Sequence, residues 1–241
     1  MNKVIIGVVA KHRDINKLRT DTLIRDEIKD SIFYNNAVAI GIVPPSKKIK
    51  LVNPFNEKEI YENLDKLFTS KEEEDLIAQI NLCNGVILSG GISSDAYEMW
   101  IAKYCYENDI PILAICAGEN NLVRAVGGSV KDCDAELHNQ QTKDYVHSIK
   151  IKKSSKLFNM LGVESLQVNS RHKRVINNPG KLKVVAVDEN GNIEAVEDKN
   201  KNCFLGVRFH PESLYLVDEL HNRLIKSFID ICNEVKNEKI I

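Results

Sequence analysis

Three residues in this chain have types suited to hydrolytic chemistry: Cys116, His210 and Glu212. Cys116 follows an apolar run, Ile112 to Ile115, that opens after Pro111. It precedes Ala117, Gly118 and a helix-like segment ending at Gly127-Gly128. That pattern reads as a buried strand, a sharp turn and a helix. A nucleophile on such a turn stands clear of the sheet, beside a helix N-terminus whose free N–H groups favour negative charge. Both features help a cysteine, whose thiolate is the reactive form. The same stretch also fits a core strand with a buried structural cysteine and a glycine-assisted turn.

The segment Gly206-Val207-Arg208-Phe209-His210-Pro211-Glu212 places a histidine directly after a strand, with a carboxylate two residues on. A cysteine hydrolase needs a base near its thiol and a third group to orient that base. His210 and Glu212 fit those roles only if the fold carries them to Cys116. Alternatively, His210-Pro211 merely ends a strand and Glu212 starts the last helix.

The elements that must position these residues alternate between strand and helix. Val4 to Ala10, Val38 to Val43, Gly85 to Leu88 and Ile110 to Ile115 are apolar runs suited to strands covered on both faces. Lys11 to Thr20 is polar and reads as a loop. Asp21 and Thr22 offer cap chemistry for a helix to about Asn36. Ser70, with Glu73 three residues on, predicts a capping box before Leu76, Ile77 and Ile80. A short helix is expected around Lys58 to Phe68, and another from Ser93-Ser94-Asp95 to Glu107. The basic cluster Ser46, Lys47, Lys48 and Lys50 reads as a solvated loop.

The second half holds shorter strands: Ser148 to Lys152, Ser165 to Val168, Lys183 to Asp188, Ile193 to Val196 and Cys203 to Arg208. Asn190-Gly191 is a hairpin signal. Leu214 to Val235 reads as an amphipathic helix with Leu216, Leu220, Leu224, Phe228 and Ile231 along one face. Strands alternating with helices predict an α/β fold with a mostly parallel central sheet flanked by helices. Ligands on such sheets bind beyond the carboxyl ends of the strands, where Gly90-Gly91 and Cys116 fall. With no linker or repeat, one domain over residues 1–241 is expected.

Composition narrows the class. The chain has 241 residues, 43% hydrophobic and 28% charged, with Lys+Arg 33 against Asp+Glu 34 and a net charge of −1. That balance gives no overall electrostatic case for nucleic acid or an anionic membrane. No apolar stretch approaches membrane-spanning length, and the N-terminal run is too short for a signal peptide. The six cysteines are scattered, with no CxxC and no histidine at zinc-finger spacing, so no metal site is expected. Free thiols predict a cytoplasmic chain.

Leu88-Ser89-Gly90-Gly91, Ile115-Cys116-Ala117-Gly118 and His210-Pro211-Glu212, in this order, resemble the class I glutamine amidotransferase superfamily across nearly the whole chain. Gly127-Gly128, Val168-Asn169-Ser170-Arg171-His172 and Ile193-Glu194-Ala195-Val196-Glu197 are similar to the gamma-glutamyl-gamma-aminobutyrate hydrolase (peptidase C26) group. The resemblance implies a flavodoxin-like sheet with a small antiparallel addition in the second half. It implies a cysteine hydrolase that cleaves a gamma-glutamyl amide through a thioester on Cys116, with His210 as base and Glu212 as its orienter. The oxyanion hole would be the N–H groups of Gly91 and Ala117. Gly90, Asn120, Ser170 and His172 would bind substrate, although His172 also fits a surface loop. No cofactor is implied. The partner is a small gamma-glutamyl substrate, and relatives often form homodimers.

Several positions depart from the superfamily pattern. Asn120 replaces a glutamine that helps shape the glutamyl site, Ala117 stands where the hydrolase group often has arginine, and Ala114 replaces a glycine. Arg124 is charged where relatives are not, and Arg208-Phe209 replaces Gln-Trp. These changes touch the pocket rather than the three reactive residues. Two other readings stay open: a glutaminase subunit feeding ammonia to a separate synthase, and a non-catalytic binder of a gamma-glutamyl or amino-acid ligand.

Overall fold

Three of the four expected apolar runs, at residues 5–9, 85–88 and 112–115, lie inside a large sheet and are covered on both faces, whereas the run at 38–42 forms its edge and is only partly buried. The structure, a computed structural model, describes residues 3–16, 19–45, 57–91 and 96–238. In chain order the strands are β1 (Ile5–Val9), β2 (Lys11–Asn16), β3 (Arg19–Leu23), β4 (Val38–Ile42), β5 (Gly85–Leu88), β6 (Ile112–Ile115) and β7 (Ser129–Asp132). They continue with β8 (His147–Ile151), β9 (Ser165–Val168), β10 (Arg174–Asn178), β11 (Lys183–Asp188), β12 (Ile193–Glu197) and β13 (Phe204–Val207). The helices are α1 (Asp26–Tyr34), α2 (Glu57–Glu62), α3 (Ser70–Asn81), α4 (Ala96–Glu107), α5 (Ala117–Ala125), α6 (Ala135–His138), α7 (Lys156–Leu161) and α8 (Glu219–Glu238).

Nine strands form one sheet in the order β4-β1-β5-β6-β13-β12-β11-β8-β9. The first five pair in parallel. Renumbered among themselves, they run 2-1-3-4-5, the flavodoxin order. From β13 onward every pairing is antiparallel. The antiparallel addition is thus four strands that extend the parallel sheet directly. Alternation along each parallel strand feeds two cores. Ile6, Val8, Ile87, Leu113, Ile115, Leu205 and Val207 pack with α1, α7 and α8. Val9, Val86, Leu88, Ile112, Ala114 and Phe204 pack with α3, α4 and α5. No described helix is long and apolar enough to cross a membrane.

Several local expectations change. The described residues of the expected loop at 11–20 are strand: β2 and β3 pair antiparallel, with His12 opposite Thr22 and Arg13 opposite Asp21. Polar residues along both strands hide the alternation that marks a half-buried strand. Asp21 and Thr22 therefore lie in β3, and α1 starts at Asp26 with no side-chain cap at Arg25. The capping box sits one residue earlier than expected, between Thr69 and Glu72, with Thr69 N donating to Glu72 Oε2 at 2.8 Å. Glu73 instead accepts from Trp100 Nε1 at 3.1 Å.

The last helix begins at Glu219, so Leu216 lies outside it and is exposed. Its buried face is His221, Leu224, Ile225, Phe228, Ile229, Cys232 and Val235. Strands β7 and β10, which pair with each other, carry no apolar run that announces them. At Asn190-Gly191 the hairpin forms as expected. Gly191 has φ 80°, and Asp188 Oδ1 accepts from the N–H groups of Asn190 and Asn192 at 2.9 and 2.7 Å. The basic cluster 46–50 and the helix start at 93–95 lie outside the described residues.

Candidate active site

Cys116 links β6 to α5 with φ 52° and ψ −105°, a conformation that L-residues adopt only when the surroundings impose it. Neighbouring bonds hold it on both sides. Cys116 N donates to Val207 O at 2.8 Å, and Asn120 N donates to Cys116 O at 3.4 Å. Gly118 allows the close approach: a Cβ there would lie 2.3 Å from Leu88 O. The first turn of α5 therefore presses on the end of β5. All residues of α5 are buried, so its N-terminal N–H groups act in a poorly screened setting.

The ends of β5, β6 and β13 converge at one point. A Cβ on Gly90 would lie 2.7 Å from His210 Cε1 and 3.5 Å from Cys116 Cβ. Gly90 is thus the gap through which imidazole and thiol face each other. His210 Nδ1 and Glu212 Oε1 are 2.7 Å apart, which leaves Nε2 for the thiol. The backbone of His210 is gripped by Asn169: His210 N donates to Asn169 Oδ1 at 2.7 Å, and Asn169 Nδ2 donates to His210 O at 2.9 Å.

Burial pushes the Cys116 thiol up. The hydrogen bond and charge of His210, together with Arg208, outweigh it and bring the thiol below its ordinary value. Burial pulls His210 down, but Glu212 and Cys116 more than reverse this and raise it. Both shifts favour a thiolate–imidazolium pair.

Arg208 organises the floor of the site. Its NH1 donates to Asn120 Oδ1 at 2.7 Å and to Cys116 O at 3.4 Å, while NH2 lies 2.5 Å from Glu119 Oε2. Glu119 needs the absence of a side chain at Gly206, where a Cβ would sit 2.6 Å from Glu119 Cγ. Burial lifts the Glu119 carboxyl to about 8. Arg208 pulls it down, while Glu194 and Cys116 push it up. Arg208 stood out in the sequence as a departure from the familiar pattern, whereas Glu119 did not. Opposite charges in the elbow and HPE segments were the available signal.

A second buried network supports the other wall. Lys11 Nζ donates to both carboxylate oxygens of Glu98, at 2.7 and 2.5 Å. Asn121 Nδ2 reaches Glu98 Oε2 at 2.6 Å. Arg124 NH1 donates to Asn121 Oδ1 at 3.3 Å, which gives the unexpected Arg124 a place. The Lys11 stem lies against Gly91, where a Cβ would fall 3.2 Å from Lys11 Cδ and Cε.

The residues expected to bind substrate divide between two places. Gly90, Gly91 and Ala117 are at the convergence point. Asn120 is there too, but its carbonyl is taken by Arg208. Ser170 and His172 are buried in a neighbouring histidine cluster, so His172 is not a surface loop residue. Ser170 Oγ donates to His138 O at 2.7 Å and lies 3.0 Å from His172 Nε2. Burial, then the charges of Arg208, His138, His147 and His210, hold His172 far below its ordinary value, so its ring is neutral.

A flavodoxin-order sheet with a strained cysteine at a strand–helix elbow and a histidine–carboxylate pair at the next strand end defines the class I glutamine amidotransferase fold. The glutaminase domain of CTPS from Trypanosoma brucei superposes on it with a TM-score of 0.62 at 17% identity, covering 96% of this chain and 94% of that one. The chain belongs to the peptidase C26 family, whose family model matches residues 92–212. Gamma-glutamyl-gamma-aminobutyrate hydrolase PuuD of Escherichia coli is 28% identical over 99% of this chain and 97% of its own length. GMP synthase [glutamine-hydrolyzing] of Staphylococcus epidermidis is 33% identical over 62% of this chain, a match that spans only 28% of that protein.

Proposed function

We propose that this chain hydrolyses the gamma-glutamyl amide bond of a small gamma-glutamyl compound through a thioester on Cys116. The observation that carries the reading is the strained elbow cysteine facing a histidine that Glu212 orients at 2.7 Å. The Cys116 thiolate attacks the gamma-carbonyl carbon, and the N–H groups of Gly91 and Ala117 receive the developing oxyanion. Protonated His210 delivers its proton to the amine as the C–N bond breaks. Neutral His210 then takes a proton from water, whose oxygen attacks the thioester and releases glutamate and the thiolate. Glu212 holds the imidazole throughout. The PuuD match along nearly the full length of both chains supports a hydrolase acting alone.

A panel of gamma-glutamyl amides, assayed by released amine, tests this. At least one should turn over with Cys116-dependent release and a trapped gamma-glutamyl adduct on that residue. Normal turnover by Cys116→Ala would rule the mechanism out. The GMP synthase match favours a second reading, a glutaminase feeding ammonia to a separate synthase. Glutamine hydrolysis that appears only with a co-purifying synthase would select that reading.

A further inference from the structure

Beside the reactive centre lies a buried group of donors that the proposed hydrolysis does not use. Glu194 of β12 is fully buried, and neither of its carboxylate oxygens has a hydrogen-bond partner. Its Oε1 is 3.4 Å from His147 Nε2, itself buried and without a hydrogen-bond partner. His138 Nε2, from the end of α6, lies 3.7 Å from Asp188 Oδ2 of β11. One donor atom from each of these four residues falls within 4.8 Å of every other. Strands β12, β11 and β8 are neighbours in the sheet, so they deliver three of the donors, and α6 supplies the fourth.

We propose that His138, His147, Asp188 and Glu194 form a binding site for one divalent first-row transition ion of the zinc class. Two imidazoles and two carboxylates are a nitrogen–oxygen donor set that suits such ions. Tetrahedral zinc with bonds of about 2.0–2.1 Å places its ligand atoms about 3.3 Å apart. The His147–Glu194 and His138–Asp188 separations are already close to that edge, and small side-chain rotations close the longer ones. The supporting contacts are also present. Asp188 Oδ1 is held by two backbone N–H groups, and Asn192 Nδ2 donates to Oδ2 at 2.9 Å. Ser170 Oγ faces His138 Nδ1 at 3.5 Å, while Nε2 lies 3.3 Å from Asn192 Nδ2, a contact the ion would displace. Glu194 Oε1 has only long contacts, 3.4 Å to His147 Nε2 and 3.7 Å to His172 Nε2; a fully buried carboxylate so weakly paired is costly, and a cation in this position satisfies it better.

The ion would tie α6 to three strands of the antiparallel extension. Through Ser170 it would also steady the segment carrying Asn169, which grips His210. Its role is therefore positioning, not attack on the substrate. The spacing that argued against a metal missed the site because its ligands come from four separate elements.

The test uses the full chain carrying Cys116→Ala, so that capture at the reactive thiol cannot imitate the site. After chelator treatment and its removal, the protein is titrated with Co²⁺ and then Zn²⁺. One Co²⁺ per chain should bind with a d–d spectrum of nitrogen and oxygen ligation, be displaced by Zn²⁺, and raise Tm. Glu194→Gln should keep the fold, equal or exceed the metal-free Tm of its parent, and lose affinity by about tenfold or more. His147→Ala, at the most accessible of the four positions, should lose affinity likewise and serves if the first variant does not fold. Absence of saturable binding, or undiminished binding in a folded variant, overturns the proposal. A thiolate charge-transfer band also overturns it, because it assigns the ion to Cys133 near His172.

Discussion

Arg208 and Glu119 meet at 2.5 Å behind the elbow, with both side chains wholly removed from solvent. The pair joins the end of β13 to the first turn of α5, the two elements that carry His210 and Cys116. Arg208 also reaches the Cys116 carbonyl. Breaking such a pair leaves a buried polar or charged group without its partner, whereas replacing both partners with apolar groups is often tolerated.

Because the Glu119 carboxyl, lifted to about 8, is largely protonated at neutral pH, Arg208→Met should leave an unpaired neutral group and destabilise the protein by about 1–3 kcal/mol. The double variant Glu119→Met/Arg208→Met should recover most of that loss in urea unfolding. Additive losses would show that the two side chains do not act as a pair.

Glu119 also predicts a pH dependence. Its folded carboxyl lies near 8 against an ordinary 4.5, so the folded state binds the proton more tightly. Stability from this group is full below 4.5 and falls as pH rises toward 8. Tm measured across that range should drop more steeply in the wild type than in Glu119→Gln. Parallel curves would remove Glu119 as the cause.

Gly90→Ala places a methyl 2.7 Å from His210 Cε1, in the gap between imidazole and thiol. Turnover of a gamma-glutamyl amide should fall by about a hundredfold, because an ångström of misplacement is enough to do so. Circular dichroism should show a retained fold.

Asn169→Ala removes both hydrogen bonds to the His210 backbone. The unpaired groups should cost about 1–3 kcal/mol in urea unfolding, and kcat should fall with KM little changed. A rise in KM alone would place Asn169 in substrate binding instead.

Iodoacetamide at neutral pH should label Cys116 first. Burial raises the Cys83 and Cys203 thiols to about 12 and also raises Cys105, Cys133 and Cys232, while Cys116 alone is lowered. Its labelling should decline only as acid protonates the thiolate. Peptide mapping that found another cysteine labelled faster would contradict the ion pair.

Much of the fold was legible in the chain. Apolar runs marked the interior parallel strands because burial on both faces demands continuous hydrophobicity, and the partly buried edge strand β4 is apolar as well. Asn190-Gly191 marked its hairpin because that turn requires a positive φ. Strands β2, β3, β7 and β10 were not legible, since polar residues pair there without an alternating pattern. Glu98 and Lys11 read as a helix residue and a loop residue, and only their meeting in the core made them a network.

Sequence alone determined the types of the candidate residues, the succession along the chain of the strands that present them, and the elbow at Cys116. These depend on local pattern: where apolar runs stop, where glycine stands, and whether a helix-forming segment comes next. Tertiary structure decided which residues meet. It set His210 against Cys116 across Gly90, clamped His210 with Asn169, paired Arg208 with Glu119, and gathered His138, His147, Asp188 and Glu194. Each of these contacts joins residues far apart along the chain, so its partner is chosen by strand order and register rather than by neighbouring residues.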